Sequence, residues 1–334
     1  MHSAPQAWPA ARVGCDRTGP AVEAAQTLCP GCGGPTATEI SGLLDTRFGI
    51  EGEYQFRRCP RCGLERLFPL PEPAQLKQLY ERFYNFSGER GTPYTGLREW
   101  FLSSPLYRWW ILVDGDVSFH ARKGAGRLLD IGCNEGRTLK QYAGNGFQAE
   151  GTELNEKAAA RARAAGFAVF TGPLEQFAPA ALYDVAVLSN VLEHVADPQA
   201  MLIAVRRLLN PGGQLWISCP NSESWLRRVF GRWWIHWHVP FHLTQFSSRT
   251  LGDLLAASGF ELVEMRQITP ALWAASSLVV RLFARRGRPT RQLRNPVLIF
   301  PLLILCRGLL FPLLGWGNRK RRGDCLVAVA LKAD

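Results

Sequence analysis

From residue 127 to residue 331 the chain alternates short apolar runs with amphipathic ones. The apolar runs at 127–131, 147–151, 167–170, 184–189, 214–218, 260–267 and 325–331 have the length of buried strands. Between them, 136–144, 155–165, 198–209 and 247–258 repeat apolar positions at helical spacing. Such alternation predicts a parallel, doubly wound α/β sheet. Upstream, 71–125 reads as an aromatic-rich helical connector behind the proline-rich stretch that starts at Phe68, and 1–26, rich in Ala, Pro and Gly, as a disordered tail. No internal repeat is present.

One segment breaks the alternation. Between the last two strands, 270–323 carries two apolar runs, 270–284 and 296–316, bordered by RRGRPTRQLRN and NRKRRG. The chain has 39 Lys+Arg against 28 Asp+Glu; this segment holds eleven of the basic residues and no acid, so the rest balances at 28 against 28. The charge therefore describes one insert and not the whole protein. The second run has thirteen Leu, Ile, Val or Phe, worth about −5 kcal/mol of membrane insertion, offset by about +3 for Arg307 and more for Pro301 and Pro312. Because the last strand must rejoin the sheet beside its predecessor, a single span is excluded. An interfacial or re-entrant hairpin on an anionic membrane surface fits; a lid packed on the protein is the alternative. Nucleic acid is not an expected partner, since leucine runs rather than exposed aromatics interleave the charges. The N-terminus has no basic-then-apolar leader, so a cytoplasmic enzyme, peripheral on the inner face of the membrane, is expected. The sequence does not speak to oligomeric state.

Four of the nine cysteines form two matched knuckles, Cys29-Pro-Gly-Cys32-Gly and Cys59-Pro-Arg-Cys62-Gly, with 26 residues between them. Two thiolates per tight turn, with a Gly free to take positive φ, suit a closed tetrahedral zinc site of structural type. This predicts a small zinc ribbon over 27–70; a pair of redox motifs is the alternative.

The run LDIGCNEG, from Leu129 to Gly136, follows the first strand and opens a helix, and Glu153 ends the next strand 17 positions after Gly136. Glycines there let backbone approach a ligand, and a carboxylate at the end of the second strand suits ribose hydroxyls. Asn134 takes the middle place and Arg137 stands where a dinucleotide loop needs its last glycine, so NAD fits poorly.

With LDIGCNEG, GTELN, YDVAVLSNVLEHVADP, PGGQLWISCPN and HLTQFSSRTLGDLLAASGFELVE in this order, the sequence resembles the class I S-adenosylmethionine (SAM) dependent methyltransferases. The preceding FRRCPRCGLERLFPLP resembles the subgroup with an N-terminal zinc module, some of whose members methylate deoxysugars. The resemblance implies a seven-stranded Rossmann-like sheet over 126–334 with the helical insert before its last strand. It implies that Gly132, Cys133, Asn134 and Gly136 pass under the methionine part of SAM, that Asp130 supports its ammonium, and that Glu153 takes the ribose. It further implies Leu154 and Leu174 beside the adenine and Asn190 at the end of strand four.

Two clusters are candidates for acceptor chemistry. Asn190-Val-Leu-Glu193-His194 follows the fourth strand; a related quinone-pathway family reads E-x-x-E-H here with a divalent metal, and Asn190 removes one anionic ligand, so no catalytic metal is expected. Glu193 and His194 then either bind the acceptor or form a helix-start hydrogen-bond network. His236, His238 and His242 lie in the second cluster, and a His titrating near neutrality suits a general base, with His242 or His238 as the candidate. The tryptophans around them, Trp225, Trp233, Trp234 and Trp237, suit a sugar-stacking wall or an interfacial belt. The expected activity is methyl transfer to a sugar, glycan or lipid-linked small molecule at the membrane; a SAM-binding adaptor without turnover is the alternative.

Overall fold

The computed structural model describes residues 27–83, 96–97, 100–102 and 104–333. The expected N-terminal tail, residues 1–26, and residues 84–95 of the connector lie outside the described residues. The chain opens with β1 (Ala37–Leu43), β2 (Tyr54–Arg58) and β3 (Glu65–Phe68), an antiparallel meander, then α1 (Pro73–Phe83) and α2 (Pro105–Asp114).

The main sheet follows with β4 (Arg127–Ile131), α3 (Arg137–Gly144), β5 (Gln148–Glu153), α4 (Glu156–Ala164), β6 (Val169–Thr171), β7 (Tyr183–Ser189), α5 (Pro198–Leu208) and β8 (Leu209–Pro220). After β8 come α6 (Trp225–Phe230), β9 (Thr244–Gln245), α7 (Ser248–Ala257) and β10 (Phe260–Ile268). The insert supplies α8 (Ala271–Phe283), α9 (Pro296–Leu309) and α10 (Phe311–Arg319), and β11 (Cys325–Lys332) ends the fold. Local chemistry sets these boundaries. Asn155 accepts hydrogen bonds from the backbone of Lys157 and Ala158 at the start of α4, Asp197 caps α5 with Pro198 in first position, and Ser247 with Thr250 forms a reciprocal capping box on α7.

The seven strands run in the order β10-β11-β8-β7-β4-β5-β6. The expectation of a parallel sheet holds for β6 to β8 and fails at the far edge, where β11 is antiparallel to both β8 and β10. The reason is the connection: Ile268 pairs with Cys325, so the insert leaves and re-enters the sheet at one point, as a hairpin would. Leu188, Ile217 and Ala328 pack one face of the sheet against Leu202 and Val205 of α5 and Leu251 and Leu254 of α7. Val187, Trp216 and Val327 pack the other against Phe119, Tyr142 and Phe147.

The cysteine ribbon is not an appendage. Its sheet has the order β1-β2-β3-β9, and the fourth strand comes from the segment after β8, with Glu65 opposite Gln245 and Arg66 opposite Thr244. Buried Glu65 pairs with Arg227 of α6 at 3.0 Å. On the other side, the loop after β1 reaches the insert, where Phe48 bridges Pro289 and the Thr290 N–H donates to the Arg47 carbonyl at 3.1 Å. Three distant stretches thus close around the carboxyl ends of β7 and β8.

Candidate functional site

The turn after β4 is built from residues in left-handed backbone conformations: Gly132 (φ 74°), Asn134 (φ 51°) and Gly136 (φ 79°). Gly is required twice for space as well as dihedral. A Cβ on Gly132 would stand 3.0 Å from Val191 Cγ2, and one on Gly136 2.8 Å from Ala162 Cβ. Glu153 ties the turn to β5, accepting from Asn134 N–H at 2.9 Å and Asn155 N–H at 2.8 Å. Cys133 contributes backbone only, because its side chain is buried against Gly151. Asp130 is buried, receives the Thr138 hydroxyl, and is pushed up to about 7 by burial. A ligand ammonium beside it would restore its charge. Leu154, 71% exposed at the end of β5, offers a bare apolar surface to a flat ring, while Leu174 is largely buried in the core beneath. The glycine cradle, the buried acid and the exposed leucine fit SAM.

Asn190 follows β7 with φ 54°, its N–H donating to the Ser218 carbonyl at 2.8 Å. The chain then turns through Leu192–His194 and buries Glu193, whose two carboxylate oxygens have no hydrogen-bond partner among the described residues. That removes the helix-start network as an account of Glu193. Opposite stands the loop after α6. His242 Nε2 is 4.0 Å from Glu193 Oε1. His242 Nδ1 donates to the His236 carbonyl at 2.8 Å, which assigns the lone pair to Nε2. The His194 ring lies 4.5 Å from that of His242, and His194 Nδ1 is hydrogen-bonded to the Tyr80 hydroxyl at 2.8 Å. His238, in the left-handed region at φ 37°, places its ring 4.8 Å from His242 and 5.9 Å from Phe48. A non-glycine residue held there costs about 1–3 kcal/mol, which a functional position commonly bears.

Two expectations are corrected here. The histidines do not titrate near neutrality: burial pushes His194 down to about 3, and His236, His238 and His242 are likewise lowered. Burial instead raises Glu193 to about 8. The tryptophans do not form an open sugar-stacking wall: Trp234 and Trp237 are buried and donate to Asp324 Oδ1 and the Gly231 carbonyl, both at 2.8 Å, and Trp225 and Trp233 are half-buried against core side chains. Glu193, His194 and His242 also bring ligand atoms within 4.8 Å of one another, a set that could hold one cation despite Asn190.

Sequence reasoning missed Tyr80, Phe48 and Asp324. The first two carry no motif and reach the site from the connector and the ribbon. Asp324 had a signal, as the first acidic residue after Glu264 and the acid-free insert. It stands 3.4 Å from His236 Nε2 and receives Ser224 and Trp234.

In the ribbon, Cys29 Sγ lies 3.4 Å from Cys62 Sγ and Cys32 Sγ 3.5 Å from Cys59 Sγ, with all four within 4.8 Å. Tetrahedral Zn–S bonds of about 2.3 Å give S–S edges of about 3.8 Å, so the cage fits. Gly33 (φ 69°) and Gly63 (φ 84°) send their N–H groups to the Cys29 and Cys59 carbonyls. The hydrogen bond to Cys62, then burial, then the charge of Cys62 push Cys29 upward, a cost that a bound cation would remove.

A family model described as a methyltransferase domain matches residues 74–265. Among curated relatives, the ubiquinone biosynthesis O-methyltransferase of Burkholderia vietnamiensis is 29% identical over 169 residues, covering 46% of this chain and 73% of that protein. The enzyme of the same name from Pectobacterium carotovorum is 27% identical over 180 residues, covering 51% and 70%. Among solved structures, a SAM-dependent methyltransferase of Thermotoga maritima, described as a possible histamine N-methyltransferase, is 21% identical with a TM-score of 0.45, covering 76% of this chain and 99% of that one. The family match spans more than half the chain and falls on the glycine turn and the strands that carry it, so the chain belongs to the methyltransferase-domain family and is a SAM-dependent methyltransferase.

Proposed function

We propose that this enzyme methylates a hydroxyl oxygen on a small lipid-linked acceptor, sugar- and glycan-bearing lipids included, at the cytoplasmic face of a membrane. The observation that carries the oxygen chemistry is Glu193, a buried carboxyl with both oxygens unpartnered and His242 as its neighbour. A buried polar group left without a partner is costly, and an acceptor hydroxyl supplies one. The O-methyltransferase names of the relatives support the same choice.

SAM, when bound, supplies a methyl group on a sulfonium that is already a good leaving group. The protein's part is to hold, orient and dry the site. Asp130 takes the ammonium, Glu153 the ribose hydroxyls, Leu154 a face of the adenine, and Gly132, Asn134 and Gly136 let the backbone close on the methionine. Glu193 accepts the acceptor's hydroxyl proton as oxygen becomes nucleophilic. Its raised pKa makes the ionised form a stronger base than the low-titrating histidines around it. His242, whose Nε2 lone pair faces Glu193 across 4.0 Å, offers no hydrogen to the carboxylate, so both oxygens stay open to the acceptor.

The four ribbon thiolates hold zinc in this reading, and zinc works at a distance: the Leu67 N–H donates to the Leu243 carbonyl at 2.9 Å, and the Leu243 N–H to the Glu193 carbonyl at 2.7 Å. The ribbon thereby fixes the loop that bears His242. A second reading rests on the closeness of Glu193, His194 and His242: a divalent cation held there would polarise the acceptor hydroxyl. Turnover of methyl-labelled SAM with a membrane lipid extract tests the proposal. Label moving into the organic phase supports it, and label remaining in the aqueous phase rejects the lipid-linked acceptor.

A further inference from the structure

α9 is apolar on every side but for Arg307, yet the protein covers only one of them. Ile299 and Cys306 face inward, while Val297, Pro301, Ile304, Leu305 and Leu309 are exposed at the spacing of a single helical stripe. α10 continues it with exposed Phe311, Leu313 and Trp316. A second stripe comes from far away in sequence: on α2, Leu106, Trp109 and Leu112 are exposed three residues apart, and Leu112 is 77% accessible. Arg307 joins the two. It is bonded to the Val113 carbonyl and lies 3.6 Å from Asp114 Oδ1, at the end of α2. The sequence alone counts Arg307 as a charge that lipid would have to bury; the structure turns it inward as a strut between the end of α2 and α9.

We propose that α2, α9 and α10 together form a docking surface for an anionic lipid bilayer, a proposal that rests on the reading of a lipid-linked acceptor. Exposed apolar side chains gathered on three helices joined in this way mark an interaction site. Charge selects the partner: of the eleven basic residues in 270–323 only Arg307 is drawn inward, the other ten are exposed, and no acid accompanies them. Arg291 and Arg294 precede α9 and Arg319 to Arg322 end α10, so cations flank the apolar stripe at both ends, where headgroups would meet them. Spanning is not the mode. α9 has 14 residues, roughly 21 Å against a hydrocarbon core of about 30 Å, and it is bent by 66° from α10. The surface also lies on the working side of the enzyme. The insert emerges beside Pro220 at the carboxyl edge of β8, and Trp273 of α8 packs on His236 with ring centroids 4.0 Å apart.

Vesicle flotation of the full chain tests this, using pure phosphatidylcholine and phosphatidylcholine with phosphatidylglycerol. The wild type floats with the anionic vesicles, and added salt weakens the association. Leu305→Asp/Leu309→Asp and, separately, Trp109→Asp/Leu112→Asp each reduce flotation at least tenfold. SAM affinity by calorimetry and circular dichroism of each variant stay as in the wild type, which separates lost docking from lost folding. Equal flotation of the α2 variant overturns the joint surface, and flotation equal on neutral and anionic vesicles overturns the charge argument. Absence of flotation together with a dimer in sedimentation that the α9 variant dissociates assigns the face to a second copy and overturns the proposal. Flotation as predicted with no label entering lipid leaves the docking surface standing and rejects the lipid-linked acceptor.

Discussion

His242 Nε2 faces Glu193 Oε1 across 4.0 Å, and the backbone of the neighbouring Leu243 bonds that of Glu193, so the two side chains are held by their own main chains. Proton removal by a positioned base is worth about 10²–10⁴-fold in rate. Glu193→Gln is expected to lower kcat by at least a hundredfold while leaving the SAM dissociation constant within twofold. His242→Asn, which removes the ring facing the carboxyl, lowers kcat less. Paired turnover and calorimetry measurements check both.

Asp130 gives a pH dependence whose sign is fixed. Its folded value, raised to about 7 without ligand, means that it is largely protonated at pH 6. Binding an ammonium needs the carboxylate, so SAM affinity rises as pH increases through 7 and declines once the ligand's own ammonium, near pKa 8, loses its proton. Affinity at pH 5.5 is expected to be about twentyfold weaker than at 7.5, with proton release seen as a buffer-dependent binding enthalpy. Asp130→Asn abolishes the dependence below pH 7.

The ribbon is expected to contain one zinc per chain by elemental analysis. Because β3 pairs with β9, stripping the metal should speed hydrogen exchange at residues 243–246 while β4 stays protected. Unchanged exchange after metal loss would show that the ribbon does not hold the histidine loop.

Asp324 has no exposed surface, and it receives Trp234 Nε1 and the Ser224 hydroxyl beside His236. Asp324→Ala leaves these groups without an acceptor, and a loss of about 2–4 kcal/mol in denaturant unfolding is expected. Asp324→Asn keeps an acceptor for Trp234 and costs less.

The strands and helices of the main sheet were legible because each buries a local pattern: 127–131 is predicted and observed with the same limits as β4. The glycine turn was legible because its dihedrals demand particular residue types. What the sequence did not reveal depends on distance. The direction of β11 follows from where the insert returns, the ribbon's fourth strand from a two-residue pairing, and the partnership of Glu193 with His242 from a backbone contact between loops. The titration of the histidines was misjudged because burial, which pushes them down, is invisible in composition. Arg307 was misread for the same reason, since its partner Asp114 lies in a helix that periodicity alone does not attach to the insert.

Incubation with SAM carrying a ¹³C methyl group and a lipid extract, followed by carbon NMR of the purified product, tests whether the enzyme methylates oxygen through Glu193. A labelled methyl carbon bonded to oxygen is expected, formed by the wild type and at least a hundredfold more slowly by Glu193→Gln. A labelled methyl on nitrogen or carbon, or a Glu193→Gln rate equal to wild type, would contradict it.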